Sequence, residues 1–234
     1  METGEAAIRH RLERLKEDLS RLARKSGLPV PPRIVGVTKG RSPEAALALF
    51  EAGVSHLAEN RWESLEEKDR FFRLRGRLPQ FHFIGSLQRR SLRQMFRPVF
   101  RVETVDRPSV LPVLSERVNA FGGPQEILIE LDLTGIPGRS GVSGKMLGPL
   151  LEEAGKWSAL IVSGLMVMGP PPGDRAASLR VFEEGKKLFD RFFPGGTATL
   201  SMGMTDDYPE AVACGSTEIR VGRYFFEESG KGGL

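Results

Sequence analysis

IVGVTKGRSPEAALALFEAGVSHLA, residues 34 to 58, holds in miniature the architecture of the whole chain. It opens on a short apolar run, Ile34 to Thr38, passes into a segment of helical length, Pro43 to Ala52, and closes on a second run, Val54 to Ala58. Short runs rich in Val, Ile, Leu and Phe read as strands buried on both faces, and a helix between two of them reads as a crossover that makes the strands parallel.

Outward from this unit the rhythm repeats. Further runs occur at Phe81 to Gly85, Val99 to Thr104, Ile127 to Leu133, Ile161 to Met168, Ala198 to Met202 and Glu218 to Val221, which with the first two makes eight. Between them lie helical stretches at Arg61 to Arg73, Leu87 to Phe96, Arg107 to Val118, Gly144 to Glu153, Asp174 to Phe189 and Asp206 to Ala213. Strict alternation predicts a parallel sheet, and eight strands predict its closure into a (β/α)8 TIM barrel of the α/β class. The competing open, doubly wound sheet lacks its usual sign here, because no G-x-G-x-x-G opens a helix after the first strand.

Upstream, Ile8, Leu12, Leu15, Leu19 and Leu22 fall at spacings of four and three, one apolar stripe on an extra N-terminal helix over residues 6 to 25. Gly27, Pro29, Pro31 and Pro32 end that helix. No linker divides the chain, so residues 1–234 are read as a single domain; the run Pro170 to Pro172 falls where a βα loop belongs.

The balance of 40% hydrophobic and 27% charged residues is that of a globular chain and argues against disorder. A net charge of +4 invites a nucleic-acid reading, but the basic residues sit beside acids three or four positions away, as in RHRLERLKEDLSRLARK, which describes a solvated helix face. No nucleic-acid partner is therefore expected. The single cysteine, Cys214, excludes an internal disulfide framework and is read as a small buried apolar residue. With charges throughout its N-terminus and no long apolar stretch, the chain is read as soluble and cytoplasmic, without a membrane partner.

Barrels of this kind carry their functional groups at the C-terminal ends of the strands. Those ends read Val37-Thr38-Lys39, Ala58-Glu59-Asn60, His82-Phe83-Ile84-Gly85, Met166-Val167-Met168-Gly169, Ser201-Met202-Gly203-Met204 and Arg220-Val221-Gly222-Arg223. Lys39 stands out: at the end of an apolar strand, desolvation and neighbouring cations favour the free amine that attacks an aldehyde, although a solvated charge is the ordinary reading of a strand-end lysine. Ser201, Gly203, the Gly215-Ser216-Thr217 turn and Gly222-Arg223 offer hydroxyl and backbone donors for a phosphate ester, at the strands where barrels recurrently bind one. Arg220 points away from Ile219 and Val221, either into the lumen or into a structural ion pair. His82, between two phenylalanines, is read from spacing as a hydrogen-bonded core histidine, and no ligand spacing suggests a metal. Asp206-Asp207 is expected to cap the next helix and to supply its first-turn acid.

At these residues the sequence resembles the YggS/PROSC family of pyridoxal 5′-phosphate (PLP) homeostasis proteins, whose fold is the barrel half of alanine racemase. The family's Val-Thr-Lys motif appears as Val37-Thr38-Lys39 with Pro43, and its Gly-Glu-Asn motif as Ala58-Glu59-Asn60. Its Trp-His-Phe-Ile-Gly-x-Leu-Gln motif appears as Phe81 to Gln88, and its C-terminal signature runs from Ser201 to Gly222. The resemblance implies that Lys39 holds PLP as a Schiff base and that Arg220 approaches the pyridine nitrogen. It also implies that Ser201 and the backbone of Gly222 and Arg223 hold the phosphate, while Asn60, His82 and Met168 line the ring pocket. The chain departs from the family at Ala58, at Arg61-Trp62 and at Ser91, which bears on the pocket rim and on any second PLP site that uses a surface lysine.

The resemblance further implies a vitamin B6 carrier with no catalytic residue, acting as a monomer and passing PLP to apo PLP-dependent enzymes. The alternative is a PLP-dependent amino-acid racemase. That chemistry needs a second base, and of the two tyrosines, Tyr208 and Tyr224, neither has an obvious claim to the role.

Overall fold

The structure, a computed structural model, describes residues 4–226. The first helix, α1 (Gly4–Lys25), is followed by β1 (Arg33–Val37), α2 (Pro43–Glu51), β2 (His56–Glu59), α3 (Trp62–Arg73), β3 (Gln80–Phe83), α4 (Arg89–Arg93) and β4 (Arg101–Val105). Then come a 3-10 turn (Pro108–Val110), α5 (Leu111–Phe121), β5 (Gln125–Leu131), α6 (Gly144–Ala154), β6 (Leu160–Val167), α7 (Arg175–Phe192), β7 (Thr199–Met202), α8 (Tyr208–Ala213), β8 (Glu218–Val221) and the short α9 (Arg223–Phe226). The eight strands form a closed barrel in sequence order, every pair parallel, and β8 closes onto β1 with Ile34 opposite Ile219. This is the (β/α)8 architecture that the alternation predicts.

The apolar core lies between the barrel and its helices. Leu57, Phe81, Phe83, Val102, Ile127, Ile129, Leu165, Leu200, Ile219 and Val221 face outward from the strands into it. The helices answer with apolar stripes, such as Leu12, Leu15 and Leu19 of α1 and Phe182 and Phe189 of α7. At roughly 25 cal/mol per Å² of apolar surface, these fully buried side chains are each worth about 1.5–3 kcal/mol. Helix α1 packs against α2, α8 and α9, so it covers the wall where the barrel closes.

Because side chains alternate along a strand, the residues between those outward positions face the lumen. Many barrels fill this space with branched apolar residues. Here it holds His82, Arg101, Glu103, Ser201, Glu218 and Arg220, all buried. A charge cannot be buried there unless it meets an opposite one. Arg101 does so by donating to Glu218 (3.2 Å) and Glu126 (2.9 Å), and Arg33 also donates to Glu218 (3.2 Å).

Two expectations are corrected. Cys214 is half-buried, not a core residue. Asp207 occupies the N-cap position of α8, but its carboxylate accepts from the backbone N–H of Met204 (2.6 Å) inside the loop, because burial there demands a local donor; Asp206 pairs with Arg223 and supplies no first-turn acid. Among the described residues no helix is long and apolar enough to cross a membrane.

Candidate functional site

A cavity of about 320 Å³ opens at the C-terminal end of the strands. Val37 and Lys39 line it from the β1 end, Ile84 and Ser86 from β3, and Thr104 and Glu130 from β4 and β5. Met166 and Met168 line it from β6, Met204, Thr205 and Asp206 from the β7 loop, and Arg220, Gly222 and Arg223 from β8. Of the eight residues predicted from the sequence, the fold brings five to this cavity: Lys39, Met168, Arg220, Gly222 and Arg223.

Lys39 sits in the turn that leaves β1. The preceding Thr38 is buried and donates its hydroxyl to Glu59 of β2 (2.8 Å), while Glu59 also accepts from the buried Lys68 (2.7 Å). That buried triad pins the backbone from which Lys39 projects. Lys39 itself is exposed, which corrects the expected desolvation: the strand ends one residue before Thr38, so the amine emerges at the cavity mouth.

Arg220 is buried beneath the cavity, 4% exposed. It donates to the hydroxyl of Ser201 (2.7 Å), the carbonyl of Val167 (3.2 Å) and the sulfur of Met168 (3.5 Å). The chain can pass close by at Gly222 because it lacks a side chain: a Cβ there would lie 2.9 Å from the carbonyl oxygen of Val37. The same tightness recurs at Gly85, where a Cβ would lie 2.0 Å from the carbonyl oxygen of Asn60.

Three predicted residues stand elsewhere. Asn60 is exposed at the rim and is not among the cavity's lining residues. His82 and Ser201 are buried in the lumen under it. Nδ1 of His82 faces Glu103 Oε1 at 2.5 Å, and an ionised carboxylate only accepts, so Nδ1 carries the proton; Nε2 meets His56 Nδ1 at 2.9 Å. Ser201 donates to the other oxygen of Glu103 (2.8 Å). His82 is thus the hydrogen-bonded core histidine of the spacing argument. His82, Glu103 and Glu218 also bring ligand-type atoms within 4.8 Å of one another, a grouping that no sequence spacing shows because it spans β3, β4 and β8. Arg101, Ser201 and His56 already engage those groups.

Electrostatics divide the buried acids. Burial works to raise Glu103, but the hydrogen bond and charge of His82, the charge of Arg220 and the hydrogen bond from Ser201 outweigh it and hold Glu103 below the usual carboxylate range. Glu218 is pushed up by burial and by Glu103's charge. Burial, with the charges of His82, Arg33 and Arg101, lowers His56 to about 3. On the cavity wall, burial and then the charge of Asp106 raise Glu130 to about 7, against the pull of Arg220 and Arg139.

Sequence reading missed Glu130 and Thr205 as cavity residues. Glu130 was legible as the first of two acids, with Asp132, inside the apolar run Ile127 to Leu133, and Thr205 as the second hydroxyl of the SMGMT segment. The departures also find explanations. Trp62 is buried and stacks on Phe83 with ring centroids 3.9 Å apart, a core contact and not a rim contact. Ser91 closes the first turn of α4 by accepting from the N–H of Gln88 (3.0 Å) and donating to the carbonyl of Ser86 (3.0 Å). Neither tyrosine lines the cavity, and Tyr208 donates its hydroxyl to Asp18 of α1 (2.7 Å).

No protein-family model matches the chain. It is 34% identical over 195 residues to the pyridoxal phosphate homeostasis protein of Deinococcus radiodurans, covering 83% of this chain and 88% of that one. It is 27% identical over 226 residues to the pyridoxal phosphate homeostasis protein of Escherichia coli, covering 94% and 95%. Among solved structures, PipY of Synechococcus elongatus with PLP bound matches with a TM-score of 0.78 at 26% identity, over 94% of this chain and 99% of that one. Alanine racemase of Clostridium difficile, at 16% identity and a TM-score of 0.72, shares the fold over 56% of its own length. The eight-stranded barrel, the lysine at its mouth and this level of identity agree: the chain belongs to the pyridoxal phosphate homeostasis protein family.

Proposed function

We propose that this protein binds PLP at the mouth of its barrel through Lys39 and serves cellular PLP homeostasis as a carrier without robust turnover. One observation carries the reading: a primary amine, a buried guanidinium and the β7 and β8 loops all face a single cavity of about 320 Å³, which is the size of a small-ligand site. The donor set fits the group. PLP supplies an aldehyde that condenses with a lysine amine and a pyridine ring that can delocalise charge.

Each residue's part follows from its chemistry. Lys39 is the cavity's primary amine and is reached from solvent. Arg220 has only donors to offer a ring nitrogen, so a nitrogen held against it would be an unprotonated acceptor and the ring would withdraw electrons weakly. Met166 and Met168 give an apolar wall. The Gly222–Arg223 backbone and the Thr205 hydroxyl stand where barrels hold phosphate, at the loops after the seventh and eighth strands. A racemase reading finds no tyrosine to serve as its second base, since both tyrosines lie off the cavity. Action as a monomer in the cytoplasm, with apo PLP-dependent enzymes as recipients, completes the proposal.

The test is visible absorbance of the protein mixed with PLP, then borohydride reduction and peptide mapping. The label is expected on Lys39 alone, and Lys39→Ala is expected to fold but take no label. Labelling of Lys145 or Lys156 in its place would overturn the assignment.

A further inference from the structure

Under the cavity, the half-buried His56 at the opposite end of the barrel and four buried residues form a hydrogen-bonded chain: His56 to His82 (2.9 Å), His82 to Glu103 (2.5 Å), Ser201 to Glu103 (2.8 Å) and Arg220 to Ser201 (2.7 Å). Arg220 is the member of this chain that reaches the cavity. A guanidinium at 4% exposure needs a counter-charge, and Glu103, with an oxygen 3.9 Å from Nη1, supplies it. Ser201 bridges the two. A serine hydroxyl has one proton, and this one is given to Glu103, so none is left for a phosphate oxygen, which is itself an acceptor. Three of Arg220's N–H groups are taken by Ser201, Val167 and Met168, which leaves two of the five for a ligand.

We propose that Glu103 is a positioning residue of the cofactor site: acting through Ser201, it fixes the Arg220 guanidinium beneath the cavity, and Ser201 serves this bridge instead of holding the phosphate. The proposal rests on the PLP reading above. Its consequence is that the phosphate contacts fall to the Gly222–Arg223 backbone and Thr205, while Glu103 and Ser201 govern the ring end of the ligand.

Dissociation constants for PLP and for pyridoxal, which lacks the phosphate, distinguish the two roles when measured on the unsubstituted protein and on Glu103→Gln, Glu103→Asp and Ser201→Ala. Loosening Arg220 costs a charge-assisted contact to the ring, so Glu103→Gln and Ser201→Ala should weaken both ligands by the same factor, roughly tenfold. Glu103→Asp, which keeps the charge, should recover part of the loss. A Ser201→Ala protein that loses PLP affinity but keeps pyridoxal affinity would place Ser201 on the phosphate and overturn the proposal. Unchanged affinities for both ligands would overturn it too. If Glu103→Gln does not fold, Ser201→Ala, which leaves every charge in place, decides the question with the same two ligands. Failure of the unsubstituted protein to bind PLP would instead remove the cofactor reading, and this proposal with it.

Discussion

Replacing Glu130 with glutamine should make the protein more stable in alkaline solution and change little in acid. Glu130 ends the apolar stretch of β5 and is 6% exposed on the cavity wall. Burial and the nearby Asp106 raise it from an ordinary 4.5 to about 7. Below pH 4.5 both folded and unfolded chains hold the proton, and the group has no effect on stability. Between 4.5 and 7 the unfolded chain ionises while the folded one does not, so the folded state binds more protons and stability falls as pH rises. Above 7 the loss is complete. A gap of about 2.5 pH units at about 1.36 kcal/mol each comes to about 3 kcal/mol. Glutamine keeps the shape and cannot ionise, so at pH 8 the variant should gain about 3 kcal/mol over its parent relative to their difference at pH 4. Urea unfolding of both proteins from pH 4 to pH 8 measures this, and groups common to both cancel. A difference between the two that stays flat across that range would refute the burial argument for Glu130.

Pyridoxal should bind at least about a hundredfold more weakly than PLP, because several charge-assisted hydrogen bonds to a dianion are lost, each worth roughly 1.5–3 kcal/mol; equal affinities by titration would contradict a phosphate site at the β7 and β8 loops. Tyr208→Phe removes the hydrogen bond that ties α8 to Asp18 of α1, and denaturant unfolding should register a loss of about 1 kcal/mol while PLP affinity holds. Racemisation of alanine, followed by deuterium exchange at Cα with Lys39→Ala as the blank, should stay below about one turnover per second, since positioned acid–base groups contribute roughly 10²–10⁴-fold each and the far face of the cavity has no tyrosine. Faster Lys39-dependent turnover would make the protein an enzyme.

Local pattern alone was enough for the eight strands, the intervening helices and the apolar stripe of α1, because strand and helix periodicity is written in neighbouring residues and needs no knowledge of the rest of the chain. The same local logic put Lys39, Arg220, Gly222 and Arg223 at or just beyond a strand end, at the face where barrels bind ligands, while Met168 was singled out by the family resemblance. It does not reach partners distant in sequence: Glu103, which takes the Ser201 proton, lies 98 positions away, and Arg101 finds Glu218 at a separation of 117. Whether a polar strand residue faces ligand or neutralises another buried charge depends on its depth in the lumen, which alternation does not encode. Lys39 shows the converse: its strand looked apolar enough to desolvate it, but where a strand stops is decided by its pairing with β2 and β8, and there the chain turns one step early and leaves the amine in solvent.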